Sequence, residues 1–155
     1  MKEKLFIDTN VFLYFLRKEK NWRKIARLFD DLKYSISTSI LVLNELKYKL
    51  LWIAASEKLN TNKKYLILNL IKNDGKFRGI IYSKFLEFYT NIRDTIQVFD
   101  LSDNEEILSC SISNKYGLLP NDAAIIATML NNDIKKIITY DKDFARVEPI
   151  EIIQI

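Results

Sequence analysis

Four acidic residues, Asp8, Glu45, Asp122 and Asp141, stand at or beside the ends of apolar runs in this 155-residue chain. They are far apart in sequence, yet each follows or opens an element that should pack into one α/β core. Residues just past the strand C-termini of an open parallel sheet gather at one edge, so the four can converge. Carboxylates brought that close raise one another's cost of ionisation unless cations neutralise them. The simplest neutraliser is a hard divalent ion held by oxygen ligands, Mg²⁺ or Mn²⁺. The pattern points to a metal-dependent nuclease.

Phosphodiester hydrolysis needs an activated water, charge stabilisation at the phosphate and help for the leaving oxygen. With no histidine in the chain, imidazole acid–base catalysis is excluded. A divalent ion can replace it by acidifying water and neutralising non-bridging oxygens, and two ions about 4 Å apart can clamp the attacking and leaving oxygens. Asp8 is the first candidate for direct or bridging coordination and Asp122 for a second, direct or water-mediated. Glu45 and Asp141 would position waters or a second ion. Attack by water predicts 5′-phosphate and 3′-hydroxyl ends. Each acid also has a plain structural reading. Asp8-Thr9-Asn10 fits an ordinary strand-to-helix turn, Asp122 a first-turn residue complementing the helix dipole, and Asp141 a cap. Glu45 is harder to explain that way, because Leu43, Leu46 and Leu50 suggest burial around it.

The elements that must position these residues alternate along the chain. Lys4-Leu5-Phe6-Ile7 reads as a buried strand ending at Asp8, and Asn10 as the cap of a helix carrying Val11, Tyr14 and Phe15. A second helical pattern runs through Trp22, Ile25, Leu28, Phe29 and Leu32, followed by a strand at Tyr34–Ser37. Thr38 or Ser39 then caps a long helix to about Ala55. Helices over about 61–72 and 79–94 flank an Asn73-Asp74-Gly75 turn. A strand at Ile96–Phe99, a helix over 103–116 and a helix over about 122–131 follow. Strands at Lys136–Thr139 and Glu151–Ile155 flank a helical turn near 142–145. Strands separated by helices imply parallel pairing with right-handed crossovers.

At 48% hydrophobic with 3 Gly and 2 Pro, the chain suits one domain over residues 1–155 without long linkers. No apolar stretch approaches membrane-spanning length, and the N-terminal run is broken by an acid, so neither a membrane span nor a signal peptide is expected. The single cysteine, Cys110, cannot form an internal disulfide and is expected to be a buried small hydrophobe in a reducing, cytoplasmic protein. Charge is uneven. Residues 47–84 hold nine Lys/Arg against Glu57 and Asp74, and residues 85–125 reverse the balance with seven acids against Arg93 and Lys115. A basic half beside an acidic pocket suits a polyanion such as RNA over a metal site, and equally suits solvated helix faces. No individual lysine is assigned to RNA. On the long helix, Leu43, Leu46, Leu50 and Ile53 form one apolar stripe, while Leu41, Tyr48, Leu51, Trp52 and Ala55 extend beyond it. That excess fits a partner groove, a homodimer face, or burial beneath the 61–94 helices.

Ile7-Asp8-Thr9-Asn10, then Glu45 in a helix, Pro120-Asn121-Asp122-Ala123-Ala124 and Thr139-Tyr140-Asp141-Lys142-Asp143-Phe144 together resemble the PIN domain family, in order and spacing, over essentially the whole chain. The resemblance implies a three-layer α/β/α fold with a central, mainly parallel sheet of four to five strands. It also implies Mg²⁺- or Mn²⁺-dependent endoribonuclease activity. Asp8, Glu45, Asp122 and Asp141 match the acidic quartet, with Thr9, Asn10, Thr139 and Asp143 in supporting positions. The small single-domain form is similar to the VapC-like toxins of toxin–antitoxin pairs, which implies an antitoxin partner and a homodimer. A PIN nuclease of RNA processing without an antitoxin, and a non-catalytic RNA-binding PIN module, are the alternatives.

Overall fold

A computed structural model describes residues 2–155; Met1, the first residue of the expected 1–155 domain, lies outside the described residues. Five strands form one parallel sheet: β1 (Glu3–Ile7), β2 (Tyr34–Ser39), β3 (Gln97–Phe99), β4 (Lys136–Ile138) and β5 (Glu151–Ile152), in the order β3-β2-β1-β4-β5. The helices are α1 (Thr9–Leu16), α2 (Trp22–Asp30), α3 (Ile40–Leu59), α4 (Lys64–Asn73), α5 (Gly75–Ile92), α6 (Asp103–Tyr116) and α7 (Pro120–Asn131). A short 3-10 helix covers Lys142–Arg146. The expected α/β class with a parallel sheet is what the chain adopts, at the five-strand end of the expected range.

The chain lays β1, β2 and β3 down in one direction and then returns to place β4 on the other side of β1. This reversal puts a topological switch point between β1 and β4, where a parallel sheet opens a crevice at its carboxyl edge. β1 is central and apolar on both faces: Leu5, Phe6 and Ile7 are fully buried, each contributing roughly 1.5–3 kcal/mol. That burial fixes its register, with Ile7 beside Ile138, so the residues that follow β1 and β4 emerge side by side.

Several boundaries differ from the sequence expectation. Asp8, not Asn10, caps α1, its carboxylate accepting from Thr9 N–H at 2.6 Å, and Asn10 lies inside the helix. Ser39 caps α3, which runs four residues beyond Ala55 to Leu59. Gly75 belongs to α5, leaving Asp74 alone as the hinge from α4 and the cap of α5. Leu32 falls outside α2 and is 80% exposed. The last strand closes after two residues, with Ile153–Ile155 beyond it. Cys110 is exposed, contrary to the expected burial. α6 turns Glu105, Ser109 and Ile112 inward, and the residue after Ser109 is rotated about 100° off that face.

The surplus apolar surface of α3 has an occupant. Leu51 and Ala55 join Ile67 of α4 and Phe77 of α5 in a second small core, separate from the main one that holds Leu43 and Leu46. α3 is therefore gripped between the sheet and the α4–α5 hairpin, and Tyr48 remains exposed on its outer side.

Candidate active site

Asp8 enters the site directly from β1. Its backbone N–H extends the sheet by donating to Ile138 O at 3.1 Å, so the residue is held by the strand and by the first turn of α1 together. The side chain is 5% exposed and accepts two hydrogen bonds, from Thr9 N–H at 2.6 Å and from the Thr139 hydroxyl at 2.7 Å. Thr139 follows β4 and links onward, its Oγ1 accepting from Asp141 N–H at 2.9 Å. Asp141 caps the 3-10 helix through Asp143 N–H at 2.8 Å. The chain Asp8–Thr139–Asp141–Asp143 is thus one hydrogen-bonded run along the carboxyl edge of β1 and β4. Asp143 turns its carboxylate to Arg146 at 2.8 Å, as the outermost member.

Glu45 arrives from α3, six residues after the Ser39 cap. Its Oε2 accepts from the Thr9 hydroxyl at 3.0 Å, which ties α3 to the first turn of α1. Its Oε1 pairs with Lys49 Nζ at 2.7 Å, and the same ammonium donates to Asn10 Oδ1 at 2.9 Å. Lys49 is not among the residues the sequence singles out. The signal was an ordinary Glu-to-Lys spacing of four on a helix, and only the fold shows that it reaches across to α1.

Asp122 is the third residue of α7, a helix started by Pro120 at its first position, where proline's missing N–H costs nothing. Among the described residues its carboxylate has no hydrogen-bond or ion-pair partner. With Glu45, Asp141, Leu119, Pro120 and Asn121 it lines an open groove of about 460 Å³. Desolvation, and then the negative charges of Asp141, Asp8, Glu45 and Asp143, push the Asp122 pKa up to about 6. Burial pushes Asp8 up as well; the Thr139 and Thr9 hydrogen bonds and Lys49 oppose that shift, and Glu45 adds to it. All four expected acids therefore meet at one sheet edge, with Thr9, Asn10, Thr139 and Asp143 bonded around them.

The donor chemistry fits a hard divalent cation: oxygen ligands, excess negative charge and little competing base. The groups are not preset as a shell. Among the described residues no three acidic, imidazole or thiol groups stand ready to hold one ion. Both Asp8 oxygens, both Glu45 oxygens and one Asp141 oxygen already accept from protein donors. Among the described residues no helix is long and apolar enough to cross a membrane.

The PIN domain family profile matches residues 5–149. Two archaeal relatives from Methanocaldococcus jannaschii align over nearly the full length. Ribonuclease VapC2 is 29% identical over 99% of this chain and 95% of its own, and ribonuclease VapC6 is 30% identical over 97% and 96%. Among solved structures, a toxin–antitoxin complex from Klebsiella pneumoniae superposes with a TM-score of 0.62 at 17% identity, covering 95% of each chain. The last comparison speaks to fold, and the first two, with the profile, to descent: the chain belongs to the PIN domain family.

Proposed function

We propose that this protein is a Mg²⁺- or Mn²⁺-dependent endoribonuclease and the toxin of a toxin–antitoxin pair. The observation that carries the reading is the convergence of Asp8, Glu45, Asp122 and Asp141, with Asp122 pushed up to about 6 by desolvation and then by its acidic neighbours. A fold does not gather carboxylates at such cost for stability alone; the arrangement makes sense when a cation and a polyanion complete it. The names of the two archaeal relatives support ribonuclease activity, and the Klebsiella complex supports an antitoxin partner.

Asp8 and Asp122 would hold the ion, with Glu45 and Asp141 completing its surroundings. When bound, the ion supplies Lewis acidity, which acidifies water and offsets charge on the phosphodiester. The chain's own part is orientation. Thr9 N–H and the Thr139 hydroxyl fix both oxygens of Asp8, and the Thr9 hydroxyl fixes Glu45. The open groove beside Asp122 and Asn121 would admit an unstacked RNA strand more readily than a duplex. Water as the attacking group leaves 5′-phosphate and 3′-hydroxyl ends.

The test is cleavage of total cellular RNA by purified protein in Mn²⁺, Mg²⁺ or EDTA, beside Asp8→Asn. Discrete metal-dependent fragments, absent with the variant, are expected. Equal cleavage by the variant would refute the site assignment. Co-purification of a protein encoded beside this chain, with loss of cleavage in the complex, is the expected result for the antitoxin. A second copy of the chain is the proposed oligomeric partner, read out by light scattering.

A further inference from the structure

We propose that Lys49 is a further catalytic residue, whose ammonium contacts the phosphate of the scissile RNA linkage. The inference rests on the nuclease reading above and adds to it a fixed cation supplied by the protein itself.

A Glu and a Lys four apart on a helix commonly form a surface pair of little consequence. Three features set this pair apart. Lys49 is only partly exposed, with its side chain at 31%. It bonds across elements, reaching Asn10 on α1 as well as Glu45 on its own helix. Its partner Glu45 also lines the groove beside Asp122 and Asp141, which places the ammonium next to the acidic site. The residues lining that groove include three acids, Glu45, Asp122 and Asp141, and no lysine or arginine.

An RNA phosphate brings one more negative charge into this surrounding. A divalent ion offsets part of that charge, and a second fixed cation at the rim lowers the remaining cost of approach. An ammonium has three N–H donors. Two are directed at Glu45 Oε1 and Asn10 Oδ1, and among the described residues the third has no protein acceptor. The two bonds hold the flexible lysine stem in place beforehand, so little ordering is required when RNA arrives. Lys47, the neighbouring basic residue, is differently used, lying over the Phe85 ring at 5.5 Å and lining a separate apolar groove with Tyr48 and Tyr82.

The alternative is that Lys49 only positions Glu45 and Asn10. Salt dependence separates the two, because a side chain that neutralises an RNA phosphate displaces a counterion and one that merely braces a neighbour does not. The experiment compares kcat/KM of wild type, Lys49→Met and Lys49→Arg on one RNA oligonucleotide, at saturating Mn²⁺ and several KCl concentrations. Lys49→Met should lower kcat/KM by about ten- to a hundredfold, the range for losing a charged hydrogen bond. It should also flatten the slope of log kcat/KM against log salt by about 0.7, the value for one contact to a single strand. Lys49→Arg should keep the wild-type slope. A Met variant whose slope equals that of wild type overturns the proposal, whether or not its rate falls. Wild-type protein that cleaves no RNA in Mn²⁺ overturns the nuclease reading, and this proposal with it. Wild-type cleavage with an unaltered Met variant overturns this proposal alone.

Discussion

Two buried carboxylate regions of this molecule have opposite electrostatics. At the α6–α7 seam, Glu105 is 3% exposed, as enclosed as Asp8. It completes a capping box, accepting from Ser102 N–H at 2.7 Å, and also receives Asn131 and Asn132 amides at 3.2 and 3.4 Å. Desolvation pushes its pKa up, but the donors from Ser102, Asn131 and Asn132 outweigh it and leave Glu105 below the ordinary carboxylate range. At the sheet's carboxyl edge, desolvation is met by further negative charge, and Asp122 sits at about 6. Burial alone therefore does not mark a functional acid. What separates the two regions is whether the protein supplies the donors, and at the sheet edge it withholds them from Asp122.

The largest effect should be on cleavage. Asp122→Asn should lower metal-dependent RNA cleavage at least about a hundredfold, the scale for removing one preorganised charge-stabilising group. Glu105→Gln should leave kcat/KM within about twofold, because Glu105 is bonded to the C-terminal end of α7 and the groove lies at the N-terminal end. Gel-resolved single-turnover rates for both variants check the contrast; equal losses would erase the distinction between the two regions. Metal should separate them again. Mn²⁺ at a hundred times its Kd should stabilise wild type by about 2.7 kcal/mol by mass action. Thermal melts should show the same gain for Glu105→Gln and a much smaller one for Asp122→Asn.

The next effect is on stability without metal, and the signs differ. Asp122 has a native pKa of about 6 against an ordinary 3.8. Its contribution is therefore fully present below about pH 4 and is lost as pH rises through about 6. Each unit corresponds to about 1.4 kcal/mol, and screening of a half-buried group reduces the total to about 1–2 kcal/mol. In EDTA at pH 7.5, Asp122→Asn should be more stable than wild type by that amount, and near pH 4 the gain should vanish. Glu105 runs the other way. Its lowered pKa gives stability that is present above its ordinary 4.5 and lost as pH falls through the native value. Glu105→Ala should cost about 1–3 kcal/mol at pH 7.5, by stranding the Ser102, Asn131 and Asn132 donors. Urea titrations of the three proteins at both pH values test the opposed signs.

The same contrast explains what could be read from the chain beforehand. Strands such as Leu5-Phe6-Ile7 are legible because a short unbroken apolar run bounded by charged residues fits a strand buried on both faces. The acids that end them were legible for the same reason, since the pattern locates each at an element's end. Asn10 and Cys110 were misplaced by local rules. Asp8 had two tasks, cap and site, so capping fell two residues earlier than Asn10 suggested. Cys110 is assigned by residue type, whereas burial on α6 is decided by angular position about Glu105 and Ile112. Lys49 and the Asn131–Asn132 grip on Glu105 depend on contacts between elements, which no local pattern encodes. The spread of α3 was readable as surplus, while its occupant was not, because the α4–α5 hairpin had to be placed first.

The smallest expected effects come from two hydroxyls of similar burial, one in each region. Thr139 donates to Asp8 Oδ2 and accepts from Asp141 N–H, so it holds two site acids in register. Ser109, on α6, donates to Glu106 O of its own helix at 2.7 Å. Thr139→Val keeps the shape but removes both bonds, at a net cost of about 1 kcal/mol in stability. Freeing Asp8 to rotate should slow cleavage by about five- to tenfold, since about 1.4 kcal/mol of lost positioning is a factor of ten. Thr139→Ser should restore the rate. Ser109→Ala loses a bond that its carbonyl acceptor already has within the helix, and should change neither rate nor stability by more than about 0.5 kcal/mol. If Thr139→Val cleaves as fast as Ser109→Ala, the orientation of Asp8 comes from β1 and Thr9 alone, and the hydrogen-bonded run along the sheet edge is structural.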